Sequence, residues 1–100
     1  MDAQALKSVV LDVLRNIQEM SGRKWRSLGD EAKPIGGLDG FDSLSAVEAT
    51  VMIEEKLGFS FDLDSLFVSN DGKRALTLKE ISKRLAKLLE EKGGTDGQPR

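Results

Sequence analysis

Gly40-Phe41-Asp42-Ser43-Leu44-Ser45-Ala46-Val47-Glu48 decides the fold, because within this stretch a glycine-rich approach turns into an amphipathic helix. Asp42, Ser43 and Ser45 can each cap a helix start, and Ser45 with Glu48 also has the spacing of a capping box. If Asp42 is the cap, Ser43 is the first helical residue and the backbone has no need of its hydroxyl. A serine so placed projects into a field that favours a phosphodiester, since unpaired N–H groups and the helix dipole both stabilise negative charge there. The pattern predicts a helix from about Ser43 to Leu57, stopped by Gly58. At about 100° per residue, Ala46, Ala49, Thr50, Ile53 and Leu57 fall on one side, while Leu44, Val47 and Val51 fall on the other beside Glu48 and Glu55. The first arc suits a core, and the second, mixed apolar and acidic, is left for a partner.

Outward from this helix the apolar spacing predicts two more. Leu6, Val9, Val10, Val13, Leu14 and Ile17 form the stripe of a helix over about Ala3 to Met20. Between Ser21 and Asp42 the pattern dissolves into glycines, Pro34 and scattered charges, so a long connection is expected there, pinned by Trp25, Leu28, Ile35 and Leu38. Thr77-Leu78-Lys79-Glu80 is a capping box, with Leu76 and Ile81 placed as a hydrophobic staple, and it opens a last helix whose core stripe is Leu78, Ile81, Leu85, Leu88 and Leu89. Residues 59–76 are the least determined. A short helix capped near Asp62 is expected within Phe59 to Phe67, and the competing reading is a small hairpin of Leu66-Phe67-Val68 and Ala75-Leu76 about the turn Ser69-Asn70-Asp71-Gly72. The expected division is one domain over 1–92 and a disordered tail over 93–100.

The chain contains neither cysteine nor histidine, which excludes disulfides, thiolate metal sites and imidazole-based catalysis. No catalytic residue and no metal ligand set emerges. Asp62 and Asp64 start like a calcium loop, but Phe67 stands where such a loop needs glycine. Gly36-Gly37-Leu38-Asp39-Gly40 is neither a phosphate-binding nor a dinucleotide loop. Lys79, Lys83 and Lys87 share a helical face, yet Glu80–Arg84 and Lys87–Glu91 are spaced as i,i+4 pairs, so a solvated surface is expected and no nucleic acid. No apolar run spans a bilayer and no basic leader opens the chain, so the expectation is a cytoplasmic monomer without membrane insertion. Charge is uneven: residues 30–64 hold nine acidic side chains against Lys33 and Lys56, whereas the flanking segments are net positive.

The stretch from Gly40 to Glu48 resembles the attachment site of phosphopantetheine-dependent acyl carrier proteins, in which the serine of Asp-Ser-Leu carries the prosthetic arm. Leu44, Val47, Glu48, Val51, Ile53, Glu54, Glu55 and Leu57 fall where such carriers place apolar and acidic groups. The resemblance implies an all-α four-helix bundle of the acyl carrier type, with a long loop between the first two helices and a short third helix. It implies 4′-phosphopantetheine on Ser43 beside Asp42, and a partner face of Leu44, Val47, Glu48, Val51, Glu54 and Glu55. The implied function is a carrier, not an enzyme, that holds acyl thioesters. The implied partners are a phosphopantetheinyl transferase (holo-carrier synthase) and acyl-transferring, acyl-activating or condensing enzymes of fatty-acid, polyketide or other lipid biosynthesis. Ser45 and Lys56 stand where fatty-acid carriers usually have acidic residues, which suggests a specialised pathway. A second triplet, Asp64-Ser65-Leu66, lacks the glycine approach and the helix, and is read as a decoy. The rival reading is an unmodified helical adaptor that uses the Leu44, Val47 and Val51 face alone.

Overall fold

The computed structural model describes residues 2–93, and the tail expected over 93–100 lies outside these apart from Gly93. Among the described residues the elements are α1 (Ala3–Met20), α2 (Pro34–Gly37), α3 (Ser43–Leu57) and α4 (Leu78–Gly93), with no strand. α1 and α3 have the bounds expected from their stripes. Asp2 caps α1 by accepting the Ala5 N–H at 2.8 Å. Gly22, at φ +70°, lets the chain turn back so that the N–H groups of Gly22 and Arg23 reach the carbonyls of Glu19 and Gln18.

α1 packs against both α3 and α4. Leu6, Val10, Val13, Leu14 and Ile17 meet Ala46, Ala49 and Ile53 of α3 and Leu78, Ile81 and Leu85 of α4 in one buried cluster. Leu28, Leu38, Phe41, Phe61, Leu66, Phe67 and Leu76 close it from the connections. Leu88 and Leu89 of the expected α4 stripe are only partly buried at its edge. The capping box forms as read: Thr77 Oγ1 accepts from the Glu80 N–H at 3.1 Å while the Glu80 carboxylate accepts from the Thr77 N–H at 2.9 Å. The first connection adds two more acceptors, the carbonyls of Ala32 and Asp30, for the N–H groups of Leu78 and Lys79.

Two expectations are corrected. No helix forms within 59–67; the fourth helical element is instead the single turn α2, whose inner torsions at Ile35 (ψ 118°) and Gly36 (φ +87°) are those of a type II turn. The reason is where the backbone groups of 59–67 find partners. Glu54 Oε2 accepts the Phe61 N–H at 2.6 Å, and Thr50 Oγ1 accepts the Leu66 N–H at 3.0 Å. Arg84 of α4 donates to the Val68 carbonyl at 2.5 Å and more weakly to those of Ser65 and Leu66. With donors and acceptors taken by flanking helices, the segment crosses the core in bends and turns. The hairpin reading is the one realised, reduced to a single bridge between Val68 and Ala75 about the turn Ser69-Asn70-Asp71-Gly72. The second correction concerns Arg84, which faces this segment instead of pairing with Glu80. The Glu80 carboxylate goes to Thr77 and Arg74.

Ile53 and Leu85 have no exposed surface, so Ile53→Asp and Leu85→Asp each place a carboxylate in the apolar cluster, and each is expected to abolish the cooperative melt followed by circular dichroism. Thr77→Ala removes one cap and should cost about 1 kcal/mol in urea titration.

Candidate functional site

The start of α3 is built by a division of labour among three neighbouring residues. Asp42 is the N-cap, in extended conformation, and its Oδ1 accepts from the Ser45 N–H at 3.0 Å and the Ser45 hydroxyl at 3.1 Å. These two bonds, with Arg23 nearby, hold its carboxyl below the usual aspartate range. Ser45 is buried by the same arrangement. Ser43 is left exposed at the first helical position, and no hydrogen bond among the described residues engages its hydroxyl, its N–H or the N–H of Leu44. An exposed nucleophilic oxygen thus sits beside two open donors at the positive end of a four-turn helix, a setting that fits a phosphodiester.

The approach to Ser43 is held from the far end of α1. Gln18 is fully buried and its Nε2 donates to the carbonyls of Asp39 and Lys24, both at 2.8 Å. Arg23 donates to the Gly40 carbonyl at 2.7 Å and to Ser45 Oγ at 3.2 Å. Arg26 donates to the Gly37 carbonyl at 3.0 Å. Phe41 is buried and meets Phe67 edge to face, with ring centroids 5.7 Å apart. None of Gln18, Arg23 or Arg26 was singled out by the sequence pattern. Gln18 did leave a trace, an amide four residues after Leu14 on the apolar side of the helix.

The residues read as a partner face lie together on the outside of α3. Leu44 is 73% exposed, Val51 47% and Val47 38%, with Glu48 and Glu55 exposed among them. Glu54 departs from this group, since it is half-buried and bonded to the Phe61 N–H. Ser65 of the second triplet is half-buried in a local turn, its Oγ accepting the Phe67 N–H at 3.1 Å. Among the described residues no group of three His, Cys, Asp or Glu could hold a metal ion, and no helix is long and apolar enough to cross a membrane.

The family model of the phosphopantetheine attachment site matches residues 39–71. That segment is similar to phosphopantetheine attachment sites. No curated protein and no solved structure matches the chain at a significant level. Members of this family bind 4′-phosphopantetheine covalently on a serine and are generally carriers that depend on a phosphopantetheinyl transferase and on acyl-handling enzymes. The all-helical architecture is consistent with a bundle of the acyl carrier type.

Ser43→Ala should leave the melting temperature nearly unchanged, whereas Asp42→Ala should lower it by a few degrees, because only the second removes a cap. Asp42 has a depressed folded-state pKa, so its contribution is complete above the ordinary value of 3.8 and is lost as pH falls through the lower folded value. Asp42→Asn keeps the acceptor without the charge. Its stability relative to wild type should therefore rise as pH falls below 3.8 in parallel acid titrations.

Proposed function

We propose that Ser43 is the residue that carries the 4′-phosphopantetheine arm and that the protein is an acyl carrier. One observation carries the assignment. Of the five serines inside the matched segment, at 43, 45, 60, 65 and 69, only Ser43 combines an exposed, unengaged hydroxyl with the first position of a helix. Ser45, Ser65 and Ser69 are committed to internal hydrogen bonds, and Ser60 lies outside any helix. In the loading step Ser43 Oγ bonds to the phosphorus of the arm, the anhydride bond to the nucleotide half of coenzyme A breaks, and adenosine 3′,5′-bisphosphate leaves. The serine proton must go to a base on the transferase, since the chain has no histidine and Asp42 is turned toward Ser45. The N–H groups of Ser43 and Leu44 are available to stabilise the phosphodiester charge. When bound, the arm supplies a terminal thiol that holds an acyl group as a thioester.

Ser45 and Lys56, where common fatty-acid carriers are acidic, favour a specialised acyl pathway, such as polyketide or other lipid assembly in the cytoplasm, over bulk fatty-acid synthesis. Partner enzymes dock on Leu44, Val47 and Val51, with Glu48 and Glu55 steering the approach. Such a tethered cargo raises the local substrate concentration at each enzyme.

Intact-mass measurement after incubation with coenzyme A and a transferase should show the addition of one arm, abolished by Ser43→Ala and unaffected by Ser65→Ala. An unmodified wild type across several transferases would favour the adaptor reading, which draws on the exposed apolar arc of α3. Replacing Glu48 and Glu55 by Lys should slow modification through the association step, with a defect that shrinks as salt rises. Val51→Ala should weaken docking with little dependence on salt. Equal rates for the charge-reversed and wild-type proteins at low salt would remove this face from consideration.

A further inference from the structure

Every side chain that holds the carbonyls of 37–40 comes from the end of α1 or the residues just after it. Arg23 alone also reaches past Ser43. It donates to the Gly40 carbonyl, three residues before the serine, and to Ser45 Oγ, two residues after it, at 2.7 and 3.2 Å. Ser45 in turn donates its hydroxyl proton to Asp42 Oδ1 at 3.1 Å. The hydrogen bonds therefore run in one direction, from guanidinium to hydroxyl to carboxylate, and keep the Asp42 carboxylate on Ser45. The backbone is shaped around the same arm. Gly40 has φ +66°, and a Cβ there would lie 2.8 Å from Arg23 Nε, so the guanidinium rests against the bare face of the glycine.

We propose that Arg23 is a positioning residue for the modification of Ser43. This rests on the reading of Ser43 as the attachment site and goes beyond it by assigning a role to a residue outside the matched segment. Arg23 acts through Gly40, Ser45 and Asp42 and does not touch the reacting oxygen. Without the guanidinium, Ser45 loses the donor that orients its hydroxyl, and the Asp42 carboxylate becomes free to accept from Ser43. The nucleophile would then be drawn into a local hydrogen bond and its helix turn would lose a fixed approach. Misplacement of a reacting group lowers the rate of the chemical step more than it lowers binding.

The test is the steady-state kinetics of arm transfer to the whole chain, with product followed by intact mass, for wild type, Arg23→Met, Arg23→Lys and Arg15→Met. Methionine keeps an arm over Gly40 but donates nothing. Lysine can serve one of the two acceptors. Arg15 is an exposed arginine of α1 paired with Glu19, so its loss makes the same change in charge elsewhere. Arg23→Met should lower kcat about tenfold with KM within about twofold of wild type, Arg23→Lys should recover part of the loss, and Arg15→Met should match wild type. Wild-type kcat in Arg23→Met, a defect confined to KM, or an equal defect in Arg15→Met overturns the proposal while leaving the attachment site intact. A wild type that is not modified at Ser43 overturns the attachment reading itself. Should Arg23→Met fail to fold, Ser45→Ala breaks the same relay at its middle and must lower kcat in the same way; an unchanged kcat there overturns the proposal.

Discussion

Two long connections, helical only in the single turn α2, lie against the core of this small protein, and most of their backbone donors and acceptors must be satisfied by something other than regular structure. Side chains from the three long helices supply many of the partners, joined by Arg23 and Arg26 of the first connection itself. Gln18 of α1 serves the connection before α3, while Thr50 and Glu54 of α3 and Arg84 of α4 serve the one after it. The burial of Gln18 and Thr50 among apolar neighbours follows from this requirement. Gln18 Nε2 reaches two carbonyls, while its Oε1 has no hydrogen-bond partner among the described residues. The long helices therefore hold the connections in place, and the connections in turn complete the core with Leu38, Phe41, Phe61, Leu66 and Phe67.

The start of α3 shows how a polar site is kept available in such a structure. Three side chains with hydroxyl or carboxylate groups stand within four residues, and left to themselves they would compete for the same backbone N–H groups. Ser45 is buried and Asp42 is fastened to it, so the competition is settled away from Ser43. The small residues Ala46 and Ala49 on the inner side of α3 bring that helix close to α1. The outer side then remains free to display Leu44, Val47 and Val51.

The parts legible in the sequence are those decided by local rules. The stripes of α1 and α3, the stop at Gly58 and the box of Thr77 with Glu80 all depend on groups within about one helical turn of each other, and they are found as read except that Val9 and Leu57 are only partly buried. Ser43, Asp42 and the exposed arc of α3 were legible for the same reason. Residues 59–67 were misread because their partners are not local: Thr50 acts sixteen residues before Leu66, and Arg84 sixteen after Val68. Arg23, lying in an irregular connection with no periodic neighbours, gave no sign of its reach to Gly40. Arg84 was misassigned by a spacing rule that holds for isolated helices, where no loop competes for the guanidinium.

The edge-to-face contact of Phe41 with Phe67 joins the residue just before the helix cap to the segment whose course the sequence left most open. Because packed rings transmit displacement with little give, a length change near Val68 and Ala75 that moved Phe67 would press on Phe41 at the base of α3. The hairpin is thus not a neutral place for sequence drift: among relatives that keep this aromatic pair, variation in its length would carry a mechanical signature at the other end of the contact, in the tilt with which α3 emerges from Asp42.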